Sequence, residues 1–186
     1  MRVYTCNMAR QSNPKSTQPW ATLPCLCATV RRLGRLTTRL YDVEMGPAGM
    51  EGGQFTLLAT VRRAPGISHA HIASRLGMDT TSLTRTLDVL LKHGWIEKAQ
   101  GSDRRSRVFT ITRTGEAQFL QARPYWQRAQ GRFASIVGAD GVNVLVAAVE
   151  AAAIALNTEV ADLLRARRSA RTRKRKARPL SLRTIS

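Results

Sequence analysis

The chain has 186 residues, 30 Lys and Arg against 12 Asp and Glu, and a formal net charge of +18. That length holds one good core or one small domain with long accessory helices, and that charge requires a polyanionic partner or surface. Most of the excess lies at the ends: 1–20 holds three basic residues and 165–186 holds ten, neither stretch has an acid, and 21–164 is left with seventeen basic and twelve acidic residues, a body of only +5.

Catalysis has little to work with. The three histidines are His69, His71 and His93, and no HExxH, GxSxG, Walker loop or CxxC pair occurs. His69 and His71 are two apart and splay on a helix. No enzyme activity, catalytic residue, cofactor or metal site is expected.

In chain order, 1–20 is polar and lacks an apolar run of seven, so it reads as a disordered extension and not as a signal peptide. Cys6, Cys25 and Cys27 are an odd number crowded at one end. That is no disulfide framework and fits a reducing, cytoplasmic setting. Cys25 and Cys27 are candidates for a redox switch, with apolar filling of a helix-packing region as the plainer alternative. After Pro24, Leu26, Val30, Leu33, Leu36, Leu40 and Val43 recur at three and four residues with arginines between them, an amphipathic helix. A loop follows from Gly46-Pro47 to Gly53, so 21–53 makes a helix and loop. A second helix is expected from Gln54 to about Arg63, stopped by Pro65-Gly66.

The most informative stretch starts next. Ser68 is a good N-cap for a short helix with Ile72 and Leu76 on its apolar face, and Gly77 fits the left-handed position that ends it. Asp79 caps a following helix that reaches His93. On a helical wheel Leu83, Leu87 and Leu90 share one side, while Thr81, Arg85, Asp88 and Lys92 lie opposite and Thr84 on the flank. Thr80, Thr81, Ser82, Thr84 and Arg85 therefore offer short donors and acceptors and a bidentate guanidinium, suited to base edges and phosphates in a major groove.

Gly94 ends that helix. Trp95 to Lys98 and Arg107 to Thr112 have the composition of two paired strands. The turn between them carries Arg104, Arg105 and Arg107 beside Asp103, which can fix one guanidinium while another reaches a narrow minor groove. Helix, turn, helix and arginine-tipped hairpin, 54–112, make a winged helix-turn-helix whose partner is double-stranded DNA.

From Thr112 a long helix carries Phe119, Trp126, Phe133 and Val137, with Pro124 inside it. A further stripe of Leu145, Val149, Ala152, Leu156, Val160 and Leu163 follows. The helices of 113–164 and the first amphipathic helix exceed what the winged domain needs, and the same stripes on a second copy would cover them, giving a homodimer. No window is expected to reach the length and apolarity of an ordinary membrane span. The run Arg165 to Arg178 lacks an apolar stripe, so 165–186 reads as a disordered basic tail. A tail of that charge also supports an alternative class, a nonspecific nucleic-acid-binding or nucleoid-associated protein.

Ile72-Ala-Ser-Arg-Leu-Gly77, the run Thr81 to Leu91, His93-Gly-Trp-Ile96, Asp103-Arg-Arg105 and Ile111-Thr-Arg-Thr-Gly115 together resemble the multiple antibiotic resistance regulator (MarR) family of bacterial transcription factors. The resemblance covers about 21–164. It implies a mainly α (α+β) winged helix-turn-helix with flanking N- and C-terminal dimerisation helices, the Asp79 to His93 helix in the major groove and Arg104 or Arg105 in the minor groove. It further implies a repressor released by a small aromatic ligand or by oxidation, with a pocket drawing on Leu40, Tyr41, Phe55, Trp126 or Phe133. Trp95 stands where the family more often has an aliphatic residue, and the basic tail is not a regular family feature.

Overall fold

The computed structural model describes residues 24–101 and 106–176. The chain divides after Arg39 into two compact units, and helix α1, Leu26–Met45, runs across the division. On α1 the expected stripe is uneven: Leu33 and Leu40 are half-buried, whereas Leu26, Val30, Leu36 and Val43 are exposed. Met45, at its end, is fully buried in the core of the second unit.

A 3-10 turn, Gly46–Ala48, leads to α2, Gly52–Arg63. This helix starts two residues earlier than the sequence predicts, because Glu51 and Gln54 form a reciprocal capping box in which the Glu51 backbone N–H donates to Gln54 Oε1 at 3.2 Å. The Gly52 N–H adds a bond to Asp42 Oδ1 at 2.9 Å. Two glycines that read as loop are thus held in the first helical turn.

Strand β1, Ile67–Ser68, precedes α3, His69–Leu76, and α4, Thr80–Lys92. Strands β2, Ile96–Gln100, and β3, Arg107–Ile111, complete an antiparallel sheet in the order β1-β3-β2. β1 escapes sequence reading because two residues show no alternation; it exists by pairing Ile67 with Phe109 and Ser68 with Val108. Gly77 ends α3 at φ 61° and Gly94 follows α4 at φ 68°, left-handed conformations that glycine adopts without strain. Leu57, Leu58, Val61, Ile72, Leu83, Leu87, Leu90, Ile96 and Phe109 fill the space between α2, α3, α4 and the sheet. Each such side chain contributes about 1.5–3 kcal/mol of burial.

Helix α5, Arg113–Val137, is capped by Thr112, whose hydroxyl accepts from the Gly115 N–H at 3.0 Å, and it continues through Pro124. It buries Gly115, Ala122 and Ala129 at seven-residue spacing, small residues that let the helix approach closely, with Phe119 and Trp126 half-buried on the same face. Helix α6, Ala139–Lys176, has 38 residues. The expectation of a disordered chain from 165 fails over 165–176. Arg, Lys and Ala are strong helix formers, and a helix already nucleated propagates through them without an apolar stripe.

Helix α6 also corrects the membrane expectation. Ala139–Arg167 contains an 18-residue window of mean hydropathy 1.7, long and apolar enough by composition to cross a bilayer. Its alanines raise the mean although few bulky apolar residues stand together. In this single chain the helix keeps Val149, Ile154, Leu156, Val160 and Leu163 between 45% and 75% exposed.

Candidate nucleic-acid interface

Helix α4 is anchored from beneath and at its start. Leu83, Leu87 and Leu90 are at most 2% exposed, so the opposite face points outward. The Asp79 carboxylate accepts from the Thr81 and Ser82 backbone N–H groups at 3.0 and 2.9 Å and from the Ser82 hydroxyl at 2.6 Å. These bonds, led by the Ser82 hydroxyl, hold the Asp79 carboxyl below its ordinary pKa.

Thr80, Thr81, Ser82, Thr84 and Arg85 are all exposed, Thr81, Thr84 and Arg85 as the wheel predicts, but they are not equally available. Ser82 is engaged by its cap. Thr84 Oγ1 donates to the Thr80 carbonyl at 2.8 Å and lies 3.3 Å from His69 Nε2. With its own proton committed, the Thr84 hydroxyl accepts from the His69 ring N–H. Arg85 has no acidic partner among the described residues. Thr81 and Arg85 are therefore the freest donors on this face.

Of the expected wing residues, Asp103, Arg104 and Arg105 lie outside the described residues. Arg107 is exposed at the base of the wing, paired across the strands with Gln100. A groove of about 580 Å³ runs between the start of α3, α4 and the sheet, lined by Ser68, His69, Thr84, Asp88, Lys98 and Arg107 among others. His69 and Lys98 were not singled out by sequence as part of this surface. The signal for Lys98 was present: Ile96 and Lys98 alternate on one strand face, and the register sets Lys98 opposite Phe109. His69 gave no such signal, since its partner is fifteen residues away.

The far end of α4 is fastened to α5. Thr112 and Thr114 hydroxyls donate to the Gly94 carbonyl at 2.6 and 2.7 Å, and the Thr112 N–H donates to the Trp95 carbonyl at 3.0 Å. Trp95 is 8% exposed and stacks on His93 at 4.3 Å.

A second cavity, of about 520 Å³, opens between α2, α3 and α5. Phe55 stacks on Phe119 at 4.9 Å and on Trp126 at 5.7 Å, and Arg62 lies over the Phe119 ring at 4.8 Å. Arg62 grips Glu116 with Nε and a terminal nitrogen at 2.7–2.9 Å. Those bonds hold the Glu116 carboxyl below its usual range. Arg63, Arg75 and Arg123 also line the cavity, and none has an acidic partner among the described residues. Of the residues expected at a ligand pocket, Phe55 and Trp126 meet here. Leu40, Tyr41 and Phe133 do not line it; Tyr41 donates to Gln130 Oε1, and burial raises its pKa. Cys25, just before α1, and Cys27, in its first turn, are exposed thiols. No group of three or more metal-ligating side chains occurs among the described residues.

A sequence model of the MarR family matches residues 48–106, the segment from the start of α2 into the wing. The chain is 30% identical to the Mycobacterium tuberculosis transcriptional regulator MOSR, solved in complex with DNA, at a TM-score of 0.62 over 72% of this chain and 98% of that one. It is 24% identical to wild-type MarR from Escherichia coli, at a TM-score of 0.58 over 70% of this chain and 98% of that one, a likeness of fold. The multiple antibiotic resistance protein MarR of Salmonella typhimurium is 34% identical over 80 residues, 42% of this chain and 56% of that protein. An HTH-type transcriptional regulator of Bacillus subtilis is 24% identical over 90 residues, 48% of this chain and 66% of that protein. The chain thus spans 56–66% of the length of these sequence relatives. Similarity extends through the helix-turn-helix, its wing and the helices beside them, and the chain belongs to the MarR family of winged helix-turn-helix, DNA-binding transcription regulators.

Proposed function

We propose that the chain acts in the cytoplasm as a sequence-specific transcriptional repressor, binding a pseudo-palindromic operator in double-stranded DNA as a homodimer. The observation that carries this reading is the outer face of α4. The Thr81 and Arg85 side chains are exposed and without a partner among the described residues, on a helix whose leucines are buried. Thr80, Ser82 and Thr84 support them from the same face, and Arg107 serves the wing together with Arg104, Arg105 and the wing-orienting Asp103 expected from sequence, which lie outside the described residues. The DNA complex of MOSR agrees with this reading.

Release belongs to the cavity between α2, α3 and α5. An aromatic stack beside three arginines that have no acidic partner among the described residues suits a small planar aromatic ligand that carries negative charge. Oxidation of Cys25 and Cys27 is the second route, supported by their exposure.

The test is selection of bound duplexes from a random pool. An inverted repeat should be enriched, and Arg85→Ala should weaken binding to it by about 5- to 150-fold, the 1–3 kcal/mol of one bidentate base contact. A pool that yields no shared motif, or an Arg85→Ala variant with undiminished preference, overturns the reading.

A further inference from the structure

Helix α6 changes character at one residue. From Ala139 to Leu164 it carries Asp140, Glu150, Glu159 and Asp162 and no Lys or Arg; from Arg165 to Lys176 it carries eight Lys or Arg and no acid. The backbone is helical across the change. Arg165 pairs back to Asp162, so the acidic half ends by neutralising the first cation only. The other seven follow within eleven residues, where like charges three and four apart repel.

Residues 165–176 contain Ala, Ser, Thr, Arg and Lys alone. A helix that lies on a bilayer needs an apolar face beside its basic one, and this segment has none. A helical protein partner would likewise find nothing to bury. The apolar half fits a membrane poorly as well, since a span there would place Glu150 and Glu159 within the hydrocarbon, at about 2.5–3.5 kcal/mol for a charged side chain at the centre. A phosphate backbone needs only the cations. At 1.5 Å per residue the twelve residues extend about 18 Å, so their eight cations come one per roughly 2.3 Å, comparable to and somewhat sparser than the one charge per roughly 1.7 Å of duplex DNA axis. The helix is already formed, which removes the ordering cost that a disordered tail meets on binding.

We infer that Arg165–Lys176 is a second DNA-binding element, a preformed basic helix that grips the phosphate backbone of duplex DNA beyond the base pairs read by α4, without reading sequence. This rests on the regulator reading for its choice of duplex DNA.

The test compares the full chain with a variant in which Arg167, Arg168, Arg171, Arg173, Lys174, Arg175 and Lys176 are all changed to Gln, which keeps helix propensity. Fluorescence anisotropy measures affinity for a selected site and for an unrelated duplex between about 0.05 and 0.3 M salt. Each lost phosphate contact removes about 0.9 from the slope of log K against log salt, so the variant's slope should be shallower by about 3 or more per chain. Its affinity for the unrelated duplex should fall at least about tenfold while the preference for the site is kept. A measurement on the unaltered chain guards against misfolding of the variant: adding about one helical turn of flanking DNA, roughly 10 base pairs, on each side of the site should tighten binding several-fold. Equal slopes, or no gain from flanking DNA, overturn the inference. So does binding of the segment to anionic vesicles with unchanged DNA slopes, which would assign it to a membrane surface. If neither protein prefers the selected site, the regulator reading fails, and the slope difference still reports on the basic helix.

Discussion

Gly115 sits in the first turn of α5 against the chain that leaves α4. A Cβ there would fall 2.7 Å from the Trp95 carbonyl carbon and 2.9 Å from Ile111 Cγ1, closer still to the Trp95 carbonyl oxygen. Backbone on one side and a half-buried, β-branched strand end on the other leave little that can give way. Gly131, farther along the same helix, has nothing within 4 Å. One methyl group should therefore have opposite effects at the two sites. Gly115→Ala is expected to destabilise by about 1–3 kcal/mol through overpacking, lowering the melting temperature by about 2–10 °C. Gly131→Ala should raise stability by up to about 1 kcal/mol, since alanine costs less backbone entropy in a helix. Thermal unfolding of both variants decides the matter, and equal midpoints would refute the close approach.

At the scale of the element, α4 depends on its N-cap as well as its leucines. The Asp79 carboxylate is ionised more readily in the fold than at its ordinary value of 3.8, through the Ser82 hydroxyl first and then backbone N–H groups. A carboxyl whose folded pKa is depressed stabilises fully above its unfolded pKa and loses that contribution as the pH falls through the folded one. Acidification from about pH 7 to about pH 3 should accordingly lower the melting temperature of the native chain more than that of Asp79→Asn, which caps without a charge. Glu116, depressed by Arg62, titrates in both proteins and cancels. The same fall in both would show that the cap does not titrate with the fold.

The elements with local causes were legible. Ser68, Gly77, Asp79 and Gly94 mark the helix ends by capping chemistry that acts within a turn, and the leucine stripe of α4 is strong enough to orient it. What stayed hidden depends on distant partners. Ile67 and Ser68 become a strand only through Phe109 and Val108, and the Gly52 N–H is held by Asp42. Within the candidate interface the exposed face of α4 could be read off a wheel, whereas the uptake of Ser82 by its cap and of Thr84 by His69 required coordinates. The helix past Leu164 was missed for another reason. Lack of an apolar stripe says where a helix cannot pack, not where it stops.

For the whole molecule, the long apolar side of α6 is the feature that one chain leaves unresolved. Val149, Leu156, Val160 and Leu163 recur at seven, four and three residues and stand 45–59% exposed. A second copy presents the same row, so a two-fold pairing covers both at once. Light scattering should return about twice 20.6 kDa at micromolar concentration. The double variant Val149→Asp, Leu156→Asp should return the monomer mass and bind an inverted repeat at least about tenfold more weakly, because two linked half-sites no longer act together. A native chain that scatters as a monomer, or a double variant that stays dimeric, removes this row as the contact.

The threonine fastening between Gly94 and α5 bears on how such a pair could be controlled. Thr112 and Thr114 bind the Gly94 carbonyl just beyond α4, so a swing of α5 tends to carry α4 along. With 25 residues, α5 is a lever arm about 37 Å long at 1.5 Å per residue. A tilt of about 5° pivoting at its far end moves the fastened end by roughly 3 Å, close to the 3.4 Å rise between stacked base pairs. On the proposed reading, in which α4 meets one half-site, a stroke of that size is enough to put it out of step with the bases.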